Sequence, residues 1–365
     1  MIISIIAFIL VIGILVFVHE LGHFIVAKLS GMRVDEFSLG FPPRLFTWKK
    51  GETLYALNWI PLGGYVKIHG ETEDGKDDDP RSFNNTVIWK RILTLIAGVA
   101  MNVVFAFVVL TLAYSVGFVS GTQDLTVVPG ASITNSQVVV TGILNDSPAA
   151  KAGLQPNDLI LSLTDSFGTT TVVHTTAELQ KYTASHQAAD QLAVNVKYDR
   201  AGQTSTKAVT LNQTGPGLGV YIDAYNTVKV PVWRAPGVAA HEISGIAGLT
   251  WNALGEFGKK LVTKAQLDST VSGPVGIYTA TSQAAHEGFD QILYLTVVLS
   301  VNLALLNVLP IPPLDGGKLF FLILELLFRK RVVRQEVENA ITLVGIVLVG
   351  GLVIIISVRD VLHLF

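Results

Sequence analysis

The opening stretch, MIISIIAFILVIGILVFVHELGHFIVAKL, constrains everything that follows. An apolar run of this length is expected to cross a bilayer as a helix, because about 20 residues rising about 1.5 Å each cover the hydrocarbon core. Yet His19, Glu20 and His23 stand inside it. A carboxylate at such depth costs about 2.5–3.5 kcal/mol on insertion scales, so the fold must supply these groups with partners. The basic leader and small-residue cleavage site of a secretory signal are missing, and the run is expected to be retained as a helix.

Composition agrees with a membrane protein. Half of the 365 residues are hydrophobic, 15% are charged, and the mean hydropathy is +0.50. A net charge of −2 gives no electrostatic case for a nucleic-acid partner. The chain has no cysteine, which excludes disulfides, thiolate metal sites and thiol nucleophiles.

Four apolar spans are expected, near 1–29, 90–119, 290–328 and 336–358, the third broken by LNVLPIPPLDGG. Segment 30–89 is polar and compact. Its stretch LYALNWIPLGGYVKIHGE reads as a membrane-associated β-hairpin turning at Gly63-Gly64, and the acidic patch EDGKDDDP after it as a solvated loop. From 124 to 230 short Val/Ile alternations in a Thr-, Ser- and Asn-rich background indicate a soluble β-rich domain. Segment 231–289 is amphipathic and is expected at the outer membrane surface.

Short basic segments orient the chain. The 28–91 loop carries ten Lys and Arg residues, and the link after the third span carries Arg329, Lys330, Arg331 and Arg334. Both should be cytoplasmic by the positive-inside rule, which puts the termini and the soluble domain outside.

HELGH has the HExxH spacing. On a helix, residues i and i+4 share a face, so His19 and His23 can ligate one zinc while Glu20 deprotonates a water. HEISG at 241 and HEGFD at 286 lack the second histidine, and no metal role is expected there. A catalytic zinc ordinarily takes three protein ligands. Asp315 is the best third, being the only carboxylate in the apolar part of span three before Glu325. Pro310, Pro312 and Pro313 must break the helix beside it, freeing backbone groups tolerable only in a protein interior or a wet cavity. Glu325 is expected as a rim partner of the Arg329–Arg331 cluster. Asn102 in span two either lines the same polar region or bonds a neighbouring helix.

HELGH together with NVLPIPPLDGG at 307–317 resembles the site-2 protease family of intramembrane zinc metalloproteases, in its bacterial regulator-of-sigma-E protease (RseP) branch. The likeness extends to the glycine-containing loop, the insert and the SGPVGI stretch at 272–277. It implies a polytopic helical membrane protein holding one zinc on His19, His23 and Asp315, with Glu20 as general base. It further implies substrate contacts at Asn307, Gly63, Gly64 and Tyr65, and single-pass membrane proteins as substrates within the lipid bilayer of the bacterial cell membrane. Within the insert, ILNDSPAAKAGLQPNDLILSLTD resembles a PDZ signature, with GLGV at 217–220 close to the loop that holds a peptide C-terminus. Residues 124–230 have room for one such domain. Two readings from other classes are an ion or proton pathway through the buried His, Glu and Asp residues, and a non-catalytic PDZ adaptor.

Overall fold

The computed structural model describes residues 2–71, 79–120, 132–189, 192–200, 202–264 and 272–362. Most of the acidic patch, residues 124–131 and residues 265–271 lie outside these. The chain divides into two units. One comprises the residues up to Leu110 and from Ala240 onward, and the other runs from Thr111 to Ala239.

In chain order the first unit begins with α1 (Ile2–Leu29), followed by β1 (Val34–Lys50), β2 (Thr53–Ile68) and α2 (Ile88–Val116). α1 stops where Gly31 takes φ +81°, with Gly31 N–H donating to Lys28 C=O and Met32 N–H to Ala27 C=O. This double closure satisfies the orphan carbonyls of a helix end and needs a residue free to adopt a left-handed conformation.

β1 and β2 are both sharply bent. Residues 36–39 lie between two rows of β2: 64–67 in the opposite sense and 54–57 in the same sense. The tight turn joining the strands falls at Gly51–Glu52, with Gly51 at φ +62°, and not at Gly63-Gly64 as the sequence suggests. The glycine pair instead opens the outer row, where the Phe41 ring occupies the space a Gly63 side chain would need. That row has no second strand beside it among the described residues. Tyr65 Oη donates to Glu36 Oε1 at 2.8 Å, and Arg44 donates to the same carboxylate, which holds the bent sheet together.

The second unit carries β3 (Phe118–Ser120), β4 (Ser132–Ile143), α3 (Pro148–Ala152), β5 (Leu159–Asp165), β6 (Thr170–Val172), α4 (Thr176–Ala188), β7 (Ala193–Arg200), β8 (Gln203–Thr210) and β9 (Val220–Lys229). The sheet runs β3-β9-β4-β5-β7-β8, with β6 beside β5. Alternation in β7 sends Val194, Val196 and Tyr198 inward, Val194 and Val196 joining Val138, Ile160, Leu163 and Leu179 in the core and Tyr198 packing with Ala149 and Leu154. α4 starts at a capping box, Thr175 accepting from Glu178 N–H while the Glu178 carboxylate accepts from Thr175 N–H. Asp158, fully buried, is held bidentately by Arg200 at 2.6 and 2.8 Å.

The first unit resumes in α5 (Ala235–Lys264), then α6 (Pro274–Glu287), α7 (Phe289–Val308), α8 (Asp315–Phe328) and α9 (Gln335–Leu362). α1, α2, α7 and α9 are each long and apolar enough to cross a membrane. The chain is a membrane protein. The break in the third span lies between α7 and α8, over the three prolines, and the 14 residues of α8 extend only about 21 Å. Gly316 packs against the carbonyls of Val308 and Leu309, and Gly345 of α9 against that of Pro312, so the broken segment is pressed between helices where a side chain would not fit. Glu325 pairs with Arg91 of α2 at 2.9 Å and not with the Arg329–Arg331 cluster. Buried arginine and half-buried glutamate compensate each other, whereas the cluster beyond α8 is exposed. SGPVGI forms the start of α6, where Asp360 of α9 accepts from Gly273 N–H at 2.8 Å and Gly276 N–H at 3.2 Å.

Candidate metal centre

Side chains from two segments nearly 300 residues apart meet at one point. His19 and His23 project from the same face of α1, and Asp315 opens α8 directly after the proline segment. His19 Nε2 lies 3.2 Å from His23 Nε2, and Asp315 Oδ2 lies 3.0 and 3.2 Å from the two nitrogens. Both histidines are more than nine-tenths buried.

These distances test whether a metal fits. Tetrahedral zinc with bonds of about 2.0–2.1 Å separates its ligand atoms by about 3.3 Å. The three observed edges match that spacing. Asp315 Oδ2, although close to both rings, accepts no hydrogen bond of proper geometry. A wall of α2 shapes the meeting point: a Cβ on Gly98 would fall on the His23 imidazole, and α1 and α2 approach closely enough that a Cβ on Gly22 would strike the Ala97 carbonyl. The donor set, two imidazoles and one carboxylate, suits zinc.

Glu20 follows His19 on α1 and lines a cavity of about 160 Å³ together with His23, Asp315, Lys318, Tyr65 and Val66. Val66, in the outer row of β2, lines the cavity beside Glu20. Gly64 abuts the same helix, since a Cβ there would lie 3.0 Å from Val16 Cγ1 and 3.3 Å from Glu20 Cγ. The outer row of β2 therefore borders the cavity. Tyr65 and Val66 line it, Gly64 lies against Glu20 beside it, Gly63 sits under Phe41, and Asn307, half-buried in the last turn of α7, is not among the residues lining it.

The decisive comparison covers almost the entire chain. A family model described as Peptidase family M50 matches residues 7–352, a span that contains both α1 and Asp315. The chain belongs to peptidase family M50. It is 34% identical over 354 residues to a Clostridium perfringens protein bearing the name of a candidate zinc metalloprotease, covering 95% of each chain. It is 27% identical over 443 residues to the zinc metalloprotease RasP of Bacillus licheniformis, and 27% over 444 residues to that of Shouchella clausii, with 99% of each chain covered in both cases.

The structure of this M50 chain also brings in residues that sequence reasoning misses. Lys318, one turn after Asp315, donates to Glu71 at 2.6 Å and so ties the segment after β2 to α8. Thr94 and Gly98 fall in one stripe of α2 with Asn102, itself a candidate from sequence, each touching a histidine of α1. Their i, i+4, i+8 spacing in an apolar span is the signal that could have found them. HEISG and HEGFD are elsewhere: His241 and His286 are exposed, and Glu242 accepts from Tyr294 Oη at 3.0 Å.

Proposed function

We propose that this M50 chain is a zinc-dependent intramembrane endopeptidase that cuts the transmembrane segments of single-pass membrane proteins, such as anti-sigma factors or signal-peptide remnants, after their outer portions have been trimmed. The observation that carries the reading is one cavity lined by Glu20, by His23 and Asp315 of the His19–His23–Asp315 cluster, and by Tyr65 and Val66 of the outer strand row. His19 Nε2, His23 Nε2 and Asp315 Oδ2 would hold the zinc. Zinc bound there supplies a Lewis acid that polarises the scissile carbonyl and makes water acidic near neutral pH.

The protein's own groups do the rest. Glu20 takes the proton of the attacking water and later returns it to the leaving amine. A helical substrate hides its peptide bonds and must unwind before it is cut. The outer row 64–66 offers those exposed peptide groups a strand to pair with. Asn307, at the end of α7, is read as a further contact for the unwound backbone.

Metal content measured by mass spectrometry on wild type and Asp315→Ala in one detergent tests the site. One zinc per chain in wild type and little in the variant is expected, and full retention by the variant removes Asp315 from the site. Glu20→Gln is expected to keep its zinc and lose cleavage; if it still cuts, Glu20 is not the base.

The second unit is read as a single PDZ-like module on the outer side of the cell membrane, with the metal centre toward the cytoplasm. Its support is a groove of about 290 Å³ between α4 and β9, bordered by Leu179, Thr183, Gln187, Leu218 and Val220, with the 215–219 glycine loop at one end. Such a groove takes an extended peptide and its terminal carboxylate. An apolar C-terminal peptide titrated against the purified chain should bind better than its amidated form; equal binding rejects carboxylate recognition.

A further inference from the structure

His19 and His23 reach the metal centre through different outer contacts. His23 Nδ1 lies 2.8 Å from the Thr94 carbonyl. A carbonyl only accepts, so Nδ1 carries the ring proton and Nε2 presents a lone pair. His19 Nδ1 faces the side-chain amide of Asn102 at 3.4 Å.

Asn102 is fully buried. As oriented, its Nδ2 points toward the ring and its Oδ1 has no partner. An amide N–H directed at Nδ1 would force the proton of a neutral His19 onto Nε2, the nitrogen that faces His23 and Asp315. No metal could then use it. Rotating the amide by 180° exchanges two near-isosteric groups, so the choice between them is made by hydrogen bonding. With Oδ1 toward the ring, the orphaned oxygen accepts from Nδ1–H, and His19 takes the same tautomer as His23.

The backbone holds Asn102 in place for this. Ser300 of α7, itself fully buried, donates to the Asn102 carbonyl at 2.9 Å. Gly98, one turn earlier, lets α2 lie against the imidazoles.

We infer that Asn102 is a positioning residue of the zinc centre, its side-chain oxygen fixing the tautomer and ring orientation of His19. The inference rests on the zinc reading above. Outer-shell acceptors of this kind typically change metal affinity by about 10–100-fold when removed.

The test is zinc affinity of the full chain in detergent, stripped and retitrated against a competing chelator. Asn102→Leu keeps the shape and removes the acceptor, and should bind zinc about 10–100-fold more weakly. Asn102→Asp keeps the acceptor and removes the donor, and should stay within about threefold of wild type, as in carboxylate–histidine–zinc arrangements. Loss of tenfold or more in Asn102→Asp overturns the inference whatever the leucine variant does, even if that variant fails to fold, because it assigns Asn102 a donor role. Wild-type affinity in Asn102→Leu overturns it as well. A wild-type chain that binds no zinc overturns the metal centre itself, and this inference with it.

Discussion

Two imidazole nitrogens 3.2 Å apart cannot both face each other as lone pairs, beside a carboxylate, without a cation to compensate them. This makes the residues around them sensitive to volume. Gly98 is the sharpest case, because a methyl group there would fall on the His23 ring. Gly98→Ala should therefore lower zinc affinity by tenfold or more, read by chelator competition. Unchanged affinity would mean that α2 yields without disturbing the rings. His19, Glu20 and His23 are legible from sequence because their spacing is internal to one helix. Asp315 is legible because a carboxylate beside three prolines in an apolar span must be compensated by a cation, a partner or a wet cavity. Asn102 keeps two roles open at that level, since nothing local says which helix it faces.

At the scale of elements, the bent β1–β2 sheet presents its outer row beside α1, and Gly64 sets how near it comes. A Cβ at that position would meet the Ser38 carbonyl at 2.8 Å as well as Val16 and Glu20. Gly64→Val should push the row away from the cavity, cutting cleavage at least tenfold while zinc content stays at wild-type level. Normal cleavage by this variant would detach the row from substrate binding. The aromatic alternation of this segment is readable as β-structure, but its turn is not. Gly63-Gly64 has the composition of a turn, yet Gly51–Glu52 makes it, because a glycine pair also serves where a backbone must pass under a ring and against a helix.

At the scale of the whole molecule, residues distant in sequence are tied by ion pairs, Arg91 with Glu325 and Lys318 with Glu71. Sequence does not reveal these partners, and proximity along the chain points Glu325 to the wrong arginines. The charge distribution predicts orientation at this scale. Since the chain lacks cysteine, Phe167→Cys and Lys330→Cys provide single labelling sites, and Phe167 is exposed. An impermeant thiol reagent applied to intact cells should label the first and spare the second. The opposite pattern would invert the topology.

Sequence by itself determined the four spans, the β-rich insert, the HExxH face and the position of the helix break. These follow from composition, from periods of 2 and 3.6 residues, and from proline's missing N–H, all of which act within a few residues. Tertiary structure alone decided that the stripe Thr94-Gly98-Asn102 backs the two histidines, that the outer row of β2 borders Glu20, and that Arg91 answers Glu325. Each depends on how closely two backbones approach, as at Gly22 against Ala97 and Gly345 against Pro312. No local period encodes that distance.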